Sequence, residues 1–96
     1  MPYKIFWTDA SKKSYEEVIE FLSQNWSQKE IERFISRTEE VLLLMSNNPN
    51  IYPLVGPDLH RCILSKHNSL FFKINDNKIT ILACWDNRKD PGNLKI

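Results

Sequence analysis

The sequence predicts a single α+β domain over residues 1–96, with a helical hairpin packed on a mainly antiparallel sheet. Three observations carry this: two amphipathic helical patterns in succession, three alternating strand patterns after them, and short polar turns between those strands. Ninety-six residues make one domain, able to bury roughly two-thirds of its unfolded surface in a modest core. Apolar residues at 42 % and charged residues at 26 % are ordinary globular usage, and three Trp, five Phe and three Tyr supply large core side chains. That composition excludes a disordered chain.

Tyr3 to Trp7 reads as a first strand with Tyr3, Ile5 and Trp7 on one face. Phe6 breaks the alternation, which predicts a strand covered on both faces. Thr8 or Asp9 then offers a side-chain oxygen to cap a helix. In that helix Tyr15, Val18, Ile19, Leu22 and Trp26 recur at three- and four-residue steps, and Phe21 widens the stripe. Ser27 and Glu30 form a capping box. Beyond it Ile31, Phe34, Ile35, Thr38, Val41, Leu42 and Met45 keep helical phase for four turns. Few residues separate the two helices, so they are expected to pack as an antiparallel hairpin.

The stretch SNNPNIYPLVGPD carries three prolines and one glycine and reads as a loop. Three strand patterns follow it. Leu59, Arg61 and Ile63 alternate with His60, Cys62 and Leu64. Leu70, Phe72 and Ile74 alternate with Phe71 and Lys73. Ile79, Ile81, Ala83 and Trp85 alternate with Thr80, Leu82 and Cys84. The spacers KHN and NDNK are short and polar, as hairpin turns should be. The tail DNRKDPGNLKI is polar and reads as irregular.

Several function classes are excluded or weakened. The longest apolar run, Val41 to Met45, is far short of the roughly 20 residues that span a bilayer. The opening MPYKIFWTDA lacks a signal peptide's long apolar stretch, so a cytoplasmic protein with no membrane partner is expected. Cys62 and Cys84 fall inside strands and read as buried reduced thiols. There is no metal knuckle, HExxH, glycine-rich phosphate loop or nucleophile elbow, so no metal or cofactor is expected. A net charge of +1 argues against nucleic-acid binding by bulk electrostatics.

What remains is a set of basic and polar residues in the C-terminal half: Arg61, Lys66, His67, Lys73, Arg88 and Lys89. An antiparallel meander can return the end of its last strand to the turn after its second, gathering some of them on one rim. Such a rim could contact phosphates or a target, with Arg61, Lys66, Arg88 and Lys89 as the binding candidates. The alternative is a set of solvated turn and edge residues. Arg61 shares a strand face with Leu59 and Ile63, so either it pairs with a carboxylate near the core or it lines a cleft. His67 could move protons, since imidazole titrates near neutrality, or simply sit at the surface; His60 has a weaker claim. The catalytic candidates, if there is catalysis, are Arg61, His67 and Arg88. Trp85 serves either packing or base stacking.

The chain resembles the RelE/ParE superfamily of toxins from type II toxin–antitoxin systems. The matching pieces run in order as YKIFWTDASKKSYEEVIEFL, NWSQKEIERF, NPNIYP, LHRCILSKHNSLFFKI and ILACWDNRKDP. The closing W-D-N-R-K-D-P is similar to the ending of the ParE-like branch often called plasmid stabilisation proteins. The resemblance implies a bacterial protein of order β-α-α-β-β-β and a cognate antitoxin partner. It also implies one of two routes to growth inhibition: RelE-like cleavage of mRNA on the ribosome, or ParE-like poisoning of DNA gyrase. Arg61 occupies the superfamily's basic position at the start of the second strand, Leu59 to Leu64, and Arg88 one after the last strand. No lysine pair precedes Arg61 in its strand, and Trp85, Asp86 and Asn87 stand where active RNases use His or Tyr. The resemblance thus favours the ParE-like branch, leaving endoribonuclease activity and a non-toxic binding module as alternatives. The oligomeric state is left open.

Overall fold

The computed structural model describes residues 2–88. Its elements are β1 (Lys4–Trp7), α1 (Asp9–Asn25), α2 (Gln28–Asn47), a short 3-10 turn (Pro49–Ile51), β2 (Leu54–Gly56), β3 (Leu59–Ile63), β4 (Asn68–Asn75) and β5 (Lys78–Asp86). One five-stranded sheet has the order β1-β5-β4-β3-β2. β1 runs parallel to β5, with Lys4 opposite Lys78 and Trp7 opposite Ile81; the other pairings are antiparallel.

Each helix starts where a hydroxyl can take an unpaired backbone donor. Thr8 Oγ1 accepts from the Ser11 N–H at 3.0 Å, and Ser27 Oγ accepts from the Glu30 N–H at 3.4 Å. The Glu30 carboxylate is drawn to Arg33, 3.3 Å away. α2 buries Ile31, Phe34, Thr38, Val41 and Met45, the stripe its periodicity demands. Across the hairpin Tyr15 stacks on Phe34 and meets Trp7 edge-on, and its hydroxyl donates to Thr38 Oγ1 at 2.9 Å. The core lies between this hairpin and one sheet face, which contributes Cys62, Leu64, Leu70, Phe72, Ile79, Ile81 and Cys84.

The structure corrects four expectations. Phe6 is 47 % exposed, with the Lys78 ammonium 5.8 Å from its ring centre: β1 is an edge strand, covered by helices on one face only. The proline-bearing stretch is not wholly loop, since it forms the 3-10 turn and the edge strand β2. Pro57 and Asp58 turn that strand into β3, with Asp58 at φ 57°. β5 does not alternate throughout. Phe72 pairs with Ile81 but Phe71 with Ala83, so Leu82 is an extra, bulged residue. The bulge turns Cys84 to the helices and Ala83 and Trp85 to the opposite face. Finally, Phe21 and Trp26 are 50 % and 54 % exposed, because the hairpin tip overhangs the sheet end instead of lying on it.

Candidate functional site

β5 outruns β1. The pairing with β1 ends at Ile81, and beyond it α1 supplies the next contact: Ser14 Oγ accepts from the Cys84 N–H at 3.0 Å while donating to the Ser11 carbonyl. Between the overhanging hairpin tip and this far end of β5 lies an open groove of about 690 Å³. Val18, Leu22, Phe34 and Cys84 line its apolar part, with Phe21 and Trp26 at its mouth. Its rim is charged: Arg33 and Arg37 on α2, and Lys66, His67 and Arg88 on the sheet side, beside Glu17, Glu30 and Asp86.

The sheet side of that rim is held by the end of β5. The Asn87 N–H donates to the His67 carbonyl at 2.8 Å, and the Asn87 carboxamide donates to the carbonyls of Ser65 at 3.4 Å and Lys66 at 3.3 Å. This joins the β3–β4 turn to the residues just after β5, as a meander allows. Arg88 is not a loose cation. Its Nε and Nη2 donate to the two Asp86 carboxylate oxygens at 3.0 and 2.8 Å, which raises the guanidinium pKa further. His67 and Lys66 are exposed.

Arg61 lies elsewhere. It sits on the sheet face away from the helices, half-buried, and lines a cleft of about 360 Å³ with Tyr52, Pro53, Val55 and Ile63. Its guanidinium bonds neutral groups, not a carboxylate. Nε donates to Ser69 Oγ at 3.1 Å and Nη2 to Asn87 Oδ1 at 3.0 Å. Lys66, His67 and Arg88 therefore share the groove, whereas Arg61 reaches them only through Asn87. Lys73 is exposed on β4, and Lys89 lies outside the described residues. His60 stacks on Phe72 with ring centres 5.1 Å apart, and its Nδ1 is 2.8 Å from the Tyr52 carbonyl, so that nitrogen carries the proton.

Ser14, Ser69 and Asn87, and Arg33 and Arg37 as groove residues, are not among the candidates that the sequence offers. A serine pattern carries no signal of its own, and Asn87 stood in plain view inside W-D-N-R. Only strand register shows what it holds. Both thiols are buried, and burial pushes Cys62 up and Cys84 up to about 12. Cys62 and Cys84 both stand opposite Leu70, on either side of β4. Two strand spacings of roughly 4.8 Å separate them, too far for a disulfide. Among the described residues no three His, Cys, Asp or Glu side chains gather as a metal site, and no helix is long and apolar enough to cross a membrane.

Comparison with known proteins adds a family. Residues 5–91 match the model of the ParE toxin of type II toxin–antitoxin systems, parDE. No match is found among curated proteins. Among solved structures, the chain is similar to the chromosomal ParDE TA system from P. aeruginosa, with TM-score 0.73 and 14 % identity over 88 % of this chain and 95 % of that one. It is also similar to a YoeB/ParE toxin from Agrobacterium tumefaciens, with TM-score 0.64 and 10 % identity over 88 % and 98 %. A YoeB–YefM complex from Staphylococcus aureus gives TM-score 0.56 and 15 % identity over 88 % and 95 %. These identities speak for the fold: helices on a mostly antiparallel sheet in the RelE/ParE arrangement.

Proposed function

The chain belongs to the ParE toxin family of type II toxin–antitoxin systems, and on that premise we propose that it arrests growth by binding a protein target such as DNA gyrase. A cognate antitoxin silences it by laying an amphipathic segment into the groove under the helical hairpin. The observation that carries target binding over catalysis is the division of the basic residues. Arg88 is committed to Asp86, and Arg61 is on the opposite sheet face, committed to Ser69 and Asn87. Cleavage at a ribose hydroxyl needs a base and phosphate-holding cations converging within hydrogen-bond reach of one point. Ribosome-dependent mRNA cleavage is the second reading, favoured by Lys66, His67 and Arg88 lining one groove.

The groove supports antitoxin docking because an amphipathic helix buries its apolar face best in a concave apolar surface with polar margins. Half-exposed Phe21 and Trp26 supply two large anchors at its mouth. Phe21→Glu and Trp26→Glu should leave the fold intact, since both side chains already face water. Induced alone, each variant should still arrest bacterial growth. Co-expression of the adjacent gene's product should rescue cells from the parent protein and fail to rescue them from the variants. Undiminished rescue of both variants would move the antitoxin off this groove.

A further inference from the structure

Arg61, Ser69 and Asn87 come from β3, β4 and the residue after β5, and they meet on the sheet face opposite the helices. Asn87 Oδ1 accepts from Arg61 Nη2 at 3.0 Å and from Ser69 Oγ at 2.6 Å. Its Nδ2 donates to the Ser65 and Lys66 carbonyls. A carboxamide offers two lone pairs and two N–H donors, and here all four are used. Ser69 is fully buried and Arg61 and Asn87 are half-buried, and the polar atoms of this cluster find their partners in one another and in the turn.

We propose that Arg61 is a positioning residue: with Ser69 it grips the Asn87 carboxamide, and through it docks the β3–β4 turn on the end of β5, setting Lys66 and His67 on the groove rim. Here Nε is spent on Ser69 Oγ and one Nη2 proton on Asn87 Oδ1, and the orientation of Asn87 decides which of its faces meets the turn. With Oδ1 fixed by two donors, Nδ2 can only point at the turn carbonyls. Removing Arg61 leaves Oδ1 held by Ser69 alone, and the turn's side-chain anchor loosens. The significance of the rim rests on reading the groove as the antitoxin site.

The test is residue-resolved amide exchange on the full chain, with Arg61→Met, Asn87→Asp and a control, Lys73→Met. Asn87→Asp keeps both acceptor bonds to Arg61 and Ser69 but sets a carboxylate oxygen against the Ser65 and Lys66 carbonyls. Both clasp variants should speed exchange at the His67, Asn68 and Asn87 amides at least tenfold, leave central β4 protected and shift the His67 ring signals. Lys73→Met should change none of these. Wild-type exchange in Arg61→Met would overturn the proposal, and so would a fast turn in Arg61→Met with a wild-type turn in Asn87→Asp. Exchange rates do not involve the antitoxin, so the Phe21 and Trp26 variants test the groove separately.

Discussion

At the scale of single residues, the thiol of Cys84 shows how burial becomes a pH dependence. It is 6 % exposed, and desolvation pushes its pKa from the ordinary 9.0 up to about 12. The folded protein keeps that proton where the unfolded chain has lost it. Stability from this group is therefore complete below pH 9 and is lost as pH rises toward 12, at a slope of up to about 1.4 kcal/mol per pH unit. Tyr15, raised chiefly by burial, adds a loss of the same sign at higher pH. Urea unfolding should show falling stability from pH 9 to 11, with a shallower fall in Cys84→Ala; an identical slope would contradict this. Both cysteines read as buried thiols from their apolar strand settings, although the face that Cys84 takes is set by the bulge and not by periodicity. The sequence also marked Arg61 as unusual among Leu59 and Ile63. It could not supply Ser69 and Asn87 as partners, since these meet Arg61 only through a register spanning three strands.

Among the elements, the helices were the most legible part, because caps and a 3.6-residue stripe are written locally. The stripe failed at Phe21 and Trp26, where tertiary geometry, not periodicity, decides whether an apolar side chain finds a cover. The bulge at Leu82 was invisible for a similar reason: it arises from pairing with β4 and inverts the faces of Ala83 and Cys84. Past Ile81, β5 has lost β1, and α1 stands in for a strand through Ser14. Ser14→Ala would leave the Cys84 N–H without that acceptor in a largely buried place. The expected cost is about 1–3 kcal/mol of unfolding free energy, the range for an orphaned buried donor. A loss below about 0.5 kcal/mol, less than an ordinary hydrogen bond is worth, would show that β5 does not depend on this tether.

For the whole molecule, the order of elements and the superfamily were readable from the chain, whereas the pairing of β1 with β5 was not. A parallel edge strand and its antiparallel alternative present the same alternating residues. The added β2 was hidden by the flanking Pro53 and Pro57 and by its length of three residues. The candidate site was legible only in part. Lys66, His67 and Arg88 do share one groove, but most of its apolar lining and part of its rim come from the hairpin. Two hydrophobic layers that diverge at one end leave a cleft, and a divergence of layers has no sequence signature. Whether this family member stops growth by holding a protein target, and not by cutting message, can be decided by inducing the chain alone in bacteria while following mRNA integrity and DNA supercoiling together. Target binding predicts growth arrest with disturbed supercoiling and intact mRNA. Arrest with rapid loss of mRNA and undisturbed DNA would contradict it and return Lys66, His67 and Arg88 to the role of a ribonuclease site.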